Sequence, residues 1–127
     1  MGRIRQMIRV KGRDCWTLFD SGARNTYVVP NVASLLNTEK LNKPFRSSLG
    51  GKVREIRDAA ILQAELEGRS IATQAVVVDD IGKDEDGKPL EILFGALAMQ
   101  QWGIRLIPEL EKLDLTHFPE EFVEFKV

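Results

Sequence analysis

The stretch of residues 18–29 constrains the fold of this chain more than any other part of the sequence. It consists of two apolar runs separated by a short polar turn that begins with Asp20. Asp, Ser and Gly in succession are typical of a turn, because the polar side chains can bond to the backbone and Gly accepts a positive φ. The apolar runs draw the turn toward the interior. Since an interior carboxylate without a cation is costly, we expect Asp20 to have a hidden partner or a function.

Elsewhere the sequence alternates apolar and polar residues with the period of two that is typical of half-buried strands. The alternation predicts a strand at residues 3–10, another at 15–19, and a hairpin with strands at 60–66 and 71–78. Residues 12–14 separate the first two strands. The count of short strands favours a mainly β fold.

Two adjacent glycines mark the tip of a further predicted hairpin, which contains Leu49, Gly50 and Gly51. Its candidate arms are residues 44–46 and 53–56, and they show little regular alternation. Glycines at a tip permit a tight turn and let the backbone approach another chain closely.

Two short helices are predicted. Asn31 is a suitable N-cap for a helix that reaches about residue 36. Residues 96–102 contain good helix formers, and Gly103 follows them at the position where a helix commonly ends.

The C-terminal part is predicted to be a hairpin or tail. Residues 104–107 and 113–115 are expected to pair, and residues 119–122 form either a last short helix or an extended segment. With 127 residues the chain is expected to be one domain, with a core at about 3–107. The remainder, 108–127, is a candidate dimer contact.

Composition narrows the possible functions. A net charge of −1 argues against nucleic acid or an anionic membrane as the main partner. No stretch approaches the roughly 20 apolar residues of a membrane span, and residues 1–3 do not begin a signal peptide. The single cysteine, Cys15, and the single histidine, His117, are too few for a His/Cys metal site. We therefore expect a cytoplasmic protein that binds no metal.

Two motifs resemble those of one family. Leu18-Phe19-Asp20-Ser21-Gly22-Ala23 resembles the hydrophobic-hydrophobic-Asp-(Thr/Ser)-Gly-Ala motif of the retropepsin-like aspartic proteases. Leu93-Phe94-Gly95 and the helix after it resemble the family's second signature, and residues 48–53 lie where the family carries its flap. Order and spacing are similar over about residues 8–106, and the small bacterial and archaeal members are the most similar.

Two positions depart from the pattern of the retroviral members. Those enzymes commonly have an acid two positions after the motif Gly and an Arg directly after the late Gly, and the two side chains pair. Here the positions hold Arg24 and Ala96, so this pair cannot form. Contacts near this point must therefore be made differently.

The resemblance implies a closed-barrel-like acid protease fold and an aspartic endopeptidase that uses no cofactor. Peptide hydrolysis by this route needs two carboxylates that share one proton. The chain contains a single Asp-(Ser/Thr)-Gly motif, so the second Asp20 is expected from another copy of the chain in a homodimer. The partners are then a second copy and a peptide or protein substrate.

The resemblance also implies roles for the neighbours. The Ser21 hydroxyl is expected to bond backbone across the dimer axis, Gly22 to allow the tight turn, and Ala23 to keep the wall small. Leu93, Phe94 and Gly95 are expected to pack behind the loop, and Leu49, Gly50 and Gly51 to close over the substrate. Val28, Ile81 and Leu97 are weaker pocket candidates and are better explained as core.

Two alternatives remain open. The chain can be a retropepsin-fold module that binds or dimerises without cleaving, which Arg24 favours, because a cation beside two carboxylates opposes proton sharing. Asp20 can also be a turn residue bonded to the amides of Gly22 and Ala23. A solvent-exposed Asp20 would indicate a small β protein without relation to the family.

Overall fold

The structure is a computed structural model that describes residues 2–125. The prediction of a single domain over residues 1–127 includes three residues that lie outside the described residues: Met1, Lys126 and Val127.

Residues 2–125 form nine strands and two short helices. The strands are β1 Arg3–Val10, β2 Arg13–Asp20, β3 Tyr27–Val28, β4 Thr38–Leu49, β5 Lys52–Leu66, β6 Arg69–Val77, β7 Ile92–Phe94, β8 Arg105–Ile107 and β9 Lys112–Asp114. The helices are α1 Pro30–Ala33 and α2 Ala96–Gln101, and Pro108–Leu110 forms a 3₁₀ turn. None of the helices in this part of the chain is long and apolar enough to cross a membrane.

Seven strands form one sheet in the order β1-β2-β7-β3-β6-β5-β4. Strand β1 also pairs with β5 at Arg9 and Glu65, so the first six strands of this order form a closed ring. Strand β4 lies outside the ring and pairs only with β5 among the described strands. The prediction of a mainly β, closed-barrel-like fold with two short helices is confirmed.

Three hairpins turn through two residues that both have positive φ. The turns are Lys11-Gly12 at 52° and 78°, Gly50-Gly51 at 57° and 81°, and Glu67-Gly68 at 48° and 79°. Two-residue turns with positive φ at both positions match the right-handed twist of the strands that they connect. Each turn therefore fixes the register of its hairpin.

The barrel interior holds the main core. In β5 the alternation of the sequence places Ala60, Leu62, Ala64 and Leu66 on the buried side, as predicted. The largest fully buried side chains of this core include Phe19 and Phe94, whose ring centroids are 4.9 Å apart. The sequence pattern of the strands thus determines which face is buried.

A second apolar cluster joins the β4–β5 hairpin to the rest of the molecule. We call it the hairpin cluster. Its buried members are Tyr27, Ile56, Val76, Val78 and Leu93, and the partly buried residues Leu18, Ala23, Leu41, Leu49, Ala59 and Ile81 pack against them. The cluster therefore brings the hairpin into contact with the segments on either side of Asp20.

The predicted bounds of helix α1 were wrong. The helix begins at Pro30, its N-cap is Val29, and it ends at Ala33. Proline suits the first position of a helix, because its fixed φ is helical and its missing N–H has no partner there in any case. Helix α2 ends as predicted, since Gly103 follows its last turn with a φ of +64°.

The predicted arms of the Gly50-Gly51 hairpin were too short. Strand β5 is continuous over 15 residues, and β4 covers 12 residues with a register shift between Lys40 and Phe45. The length of β4 could not be predicted from the sequence, because most of the strand is exposed on both faces and has no alternating pattern. The pairing of β8 with β9 is confirmed, and residues 119–122 form no helix.

Candidate active site

Asp20 is the last residue of β2 and is only 8% exposed. Its Oδ1 accepts the N–H of Gly22 at 2.8 Å, and its Oδ2 lies 3.3 Å from Nε of Arg3. The N–H of Ala23 donates to the backbone carbonyl of Asp20 at 3.2 Å rather than to its carboxylate. The carboxylate is therefore buried, with one oxygen used by the turn and the other facing a cation.

Ser21 is tied to the beginning of the chain. Its Oγ accepts the N–H of Gly2 at 2.9 Å, and its own N–H donates to the Gly2 carbonyl at 3.1 Å. Gly22 is exposed, and Ala23 is half-buried against the hairpin cluster. Within one chain, the hydroxyl of Ser21 thus bonds to a residue of its own N-terminal segment.

Residues 21–26 connect β2 to β3, and we call them the Asp20 loop. Strand β7 lies directly behind this loop. It is parallel to β2, with Leu93 beside Leu18 and Phe94 beside Phe19, and antiparallel to β3. This position explains why a short apolar run is buried on both faces. The strand therefore joins β2 to β3 within the sheet, beside the point where the Asp20 loop leaves β2.

Gly95 makes the closest approach to the loop. A Cβ at this position would lie 2.2 Å from the backbone oxygen of Asn25, so no larger residue fits without movement of the backbone. The Gly95 N–H donates to Oγ1 of buried Thr26 at 3.1 Å. The N–H groups of Ala96 and Leu97 donate to the carbonyls of residues 23 and 24 at 2.7 and 3.1 Å. The loop is therefore braced along its length by backbone contacts.

The tip of the β4–β5 hairpin has few such contacts. Leu49 is half-buried in the hairpin cluster, and the hydroxyls of Tyr27 and Ser47 form a hydrogen bond. Gly50 and Gly51 are exposed, and a Cβ on either would meet nothing within 4 Å. The structure thus places the hairpin against the loop through Leu49 and leaves the two glycines beyond it.

The weaker candidates occupy three different environments. Val28 is fully buried in the main core, and Ile81 is half-buried in the hairpin cluster. The assignment of Leu97 to the core was wrong, because its position on helix α2 leaves it 54% exposed. Burial raises the pKa of the Cys15 thiol to about 11, which is unfavourable for a nucleophile. Cys15 therefore serves as a small core residue.

The sequence analysis did not identify Arg3 as the partner of Asp20, although the sequence contains a signal for this pairing. The Lys11-Gly12 turn pairs Val10 with Arg13, and this register places Arg3 opposite Asp20. The sequence interpretation put the break at residues 12–14, one residue too late, which hid the pairing. Correct recognition of the two-residue turn would have found the cation.

Arg54 was also missed. Its side chain is 14% exposed, forms an ion pair with Asp79, and donates to the carbonyl of Asp80 at 3.2 Å. Within residues 2–125 its Nε has no hydrogen-bond partner. Arg54 thereby ties the hairpin arm β5 to the segment after β6, a contact between residues 25 positions apart that no local pattern predicts.

No protein-family model matches this chain, and no curated protein matches it in sequence. Among solved structures, the chain is similar to the retroviral protease-like domain of Ddi1 from Leishmania major, with a TM-score of 0.65 and 14% identity. The match covers 93% of this chain and 91% of that chain. The chain therefore has a retropepsin-like fold in a single small domain. At this identity, the similarity establishes the fold alone.

Proposed function

We propose that the protein is an aspartic endopeptidase that acts as a homodimer, with one Asp20 from each copy. The observation that carries the proposal is a buried Asp20 at the end of a strand, in a braced turn, within a retropepsin-like fold. A largely buried carboxylate at the end of a strand, held by one backbone N–H and one exposed cation, is a candidate for a chemical role.

The proposed reaction needs no metal or cofactor. One Asp20 is ionised and takes a proton from a water molecule, whose oxygen attacks the scissile carbonyl carbon. The other Asp20 is protonated and donates to the carbonyl oxygen. Collapse of the tetrahedral intermediate breaks the C–N bond. The leaving nitrogen takes the proton that the first Asp20 received from water, and a hydroxyl of the intermediate returns a proton to the second Asp20 as the new carboxyl group forms.

The surroundings of Asp20 support the proposed dimer. Within residues 2–125, its carboxylate forms an ion pair with Arg3 and accepts the N–H of Gly22, and no hydrogen bond joins it to a second acid. The acids Asp79 and Asp80 lie in an exposed segment after β6. A second copy is therefore the source of the second carboxylate in this proposal.

Formation of the pair requires that Arg3 withdraw from Asp20. Its side chain is 73% exposed and can move into water, but the side chain of Asp20 is 11% exposed, so the second Asp20 and the proton that the pair shares must replace the cation as the partner of the buried carboxylate. Ser21, Gly22 and Ala23 then hold the two loops, while Leu49, Gly50 and Gly51 cover the substrate. Leu93, Phe94 and Gly95 keep each loop in place from behind.

The decisive experiment compares wild type with Asp20→Asn on an unbiased peptide library at several values between acidic and neutral pH. We expect cleavage by wild type and none by Asp20→Asn. Asp14→Asn is the matched control, because Asp14 lies on the same strand with an exposed carboxylate and is expected to leave cleavage unchanged. Equal cleavage by all three proteins, or none by wild type, overturns the proposal.

Sedimentation of the wild-type chain tests the dimer separately. A monomer at high concentration supplies one Asp20 and excludes the carboxylate pair. A dimer that cleaves nothing indicates instead the second candidate function.

That candidate is a catalytically silent module that binds or dimerises. The ion pair between Arg3 and Asp20 favours it, because the guanidinium lies at the carboxylate oxygen that the turn leaves free and competes with a second Asp20 for that oxygen. Arg3→Gln distinguishes the two functions, since a protease gains or keeps cleavage when the cation is removed. For either function we propose a cytoplasmic location, since the single cysteine, Cys15, is buried and unpaired.

A further inference from the structure

A cavity of about 310 Å³ borders the loop that follows Asp20. We call it the Arg24 pocket. The loop contributes Arg24, strand β4 contributes Leu41 and Phe45, and helix α2 contributes Leu97. The pocket thus joins the loop, the hairpin and the element behind the loop. Its volume is near the lower end of the range of about 300–1,000 Å³ for small-ligand sites, which suits one or two side chains of a peptide.

Arg24 is the single charged residue among the described residues that line the pocket. It is exposed, and within residues 2–125 it forms no ion pair. Six other arginines in this part of the chain do form ion pairs: Arg3, Arg5, Arg9, Arg13, Arg54 and Arg57. The guanidinium of Arg24 is therefore available to an anion from outside.

The backbone of Arg24 is held by a hydrogen bond, although within residues 2–125 its side chain has no hydrogen-bond or ion-pair partner. Its carbonyl accepts the N–H of Leu97 at 3.1 Å. Leu97 is 54% exposed and Phe45 is 39% exposed, so both large apolar side chains that line the pocket have surface that a ligand can cover. The pocket thus offers one cation on a rigid base next to two apolar surfaces.

From this combination we infer that the Arg24 pocket binds an acidic side chain of a peptide, with an apolar neighbour of that residue against Phe45 and Leu97. The inference rests on the proposed function, because it names the substrate class of the same site. Asp20 and Arg24 are four residues apart, so their Cα atoms are within about 14 Å of each other. Since the side chains of Arg24 and of the acidic residue add to this distance, the acidic residue lies within several residues of the bond that is cut.

A carboxylate fits this pocket better than a neutral amide does. A guanidinium can donate two parallel hydrogen bonds to a carboxylate, and the charges add to both of them. The contact is remote from the reacting atoms and is the same before and during the reaction. It is therefore expected to lower KM more than it raises kcat.

The test measures peptide binding in the full-length Asp20→Asn chain, so that no peptide is consumed. Fluorescent peptides are compared in pairs that differ only by Glu or Gln, with an apolar residue beside that position. We expect the Glu peptide to bind about fivefold more tightly at low salt. Arg24→Gln in the same background removes the preference, and Arg24→Glu transfers it to the matching Lys peptide.

Arg105→Gln is the control, because Arg105 is exposed on β8 and its loss changes the net charge equally. It is expected to leave the Glu preference intact. The inference is overturned if no peptide of the set binds, if the Glu and Gln peptides bind equally, or if Arg105→Gln abolishes the preference as Arg24→Gln does. An Arg24-dependent preference together with no cleavage by the Asp20-containing chain supports the pocket and refutes only the protease function.

Discussion

The segment behind the Asp20 loop and the tip of the β4–β5 hairpin both require a glycine, but for opposite reasons. Gly95, behind the loop, has a φ of −92° that any residue can adopt, yet a Cβ there would lie 2.2 Å from a backbone oxygen. Gly51, at the tip, has empty space around it but a φ of +81°. Behind the loop, lack of space excludes any residue larger than glycine. At the hairpin tip, the backbone conformation disfavours any residue other than glycine.

This difference separates a fixed side of the site from an adjustable one. The loop is held by main-chain and buried hydrogen bonds that involve Thr26, Gly95, Ala96 and Leu97. The hairpin tip reaches the rest of the molecule mainly through Leu49, Ser47 and, further along β5, Arg54. In the proposed endopeptidase, the braced loop would hold Asp20 in place, and the more loosely attached hairpin would admit and cover the substrate.

The largest effect is expected for Gly95→Ala. Since the added Cβ would meet the carbonyl of Asn25, the loop or β7 must move, and we expect a loss of more than about 3 kcal/mol of unfolding free energy, or failure to fold. Gly51→Ala is the matched control and is expected to lose about 1 kcal/mol, from backbone strain alone. Chemical denaturation measures both, and equal losses would remove the distinction between the two regions.

A smaller effect is expected for Thr26→Val. The change keeps the shape but leaves the buried N–H of Gly95 without its acceptor, at a cost of about 1–3 kcal/mol. Thr73→Val is the control, because Thr73 is similarly buried and its side chain forms no hydrogen bond to the described residues. Urea unfolding should give a loss for Thr26→Val and little change for Thr73→Val. The reverse order would mean that this hydrogen bond does not brace the loop.

On the hairpin side, Arg54→Met should loosen the cover without unfolding the barrel. Amide hydrogens between Phe45 and Ile56 are expected to exchange about fivefold faster, while those of β2 and β7 keep their protection. Arg57→Met is the control, since Arg57 is exposed and pairs with Glu55 on its own strand. Hydrogen exchange measured residue by residue checks this. Uniform acceleration in both regions would show that the hairpin is not a separate unit.

The same two regions explain how far the sequence could predict the structure. The loop and its backing were predictable, because Asp20, Gly22 and the Leu93-Phe94-Gly95 run combine local turn chemistry with clear apolar patterns. The length of the hairpin was not predictable, because most of β4 is exposed on both faces, and an alternating pattern requires one buried face.

The partners of the charged groups were the other gap. The ion pair of Arg3 depends on strand register, and a turn placed one residue too late shifts every pair. The contacts of Arg54 and the hydrogen bond between Tyr27 and Ser47 join segments that are distant in sequence, so only the folded chain brings them together.

The smallest effect concerns the pH dependence of the hairpin contact. The side-chain hydrogen bond from Arg54 holds the pKa of Asp79 below its ordinary value of 3.8. Since the unfolded chain binds this proton more readily, the contact stabilises the folded state above about pH 4 and is lost as the pH falls through the lowered pKa. Asp79 is 78% exposed, so the effect should be weak and should shrink with added salt.

Unfolding of wild type and Arg54→Met in urea, compared between about pH 2.5 and pH 6, checks this linkage. The difference in unfolding free energy should stay constant in the upper part of this range and narrow toward its acidic end. Asp79→Asn should give a smaller pH dependence than wild type, because it removes the group that titrates. A difference that grows as the pH falls would have the wrong sign for a carboxylate with a lowered pKa and would contradict the prediction. A difference that stays constant over the whole range would mean that the hairpin depends on Arg54 through packing of its stem rather than through Asp79.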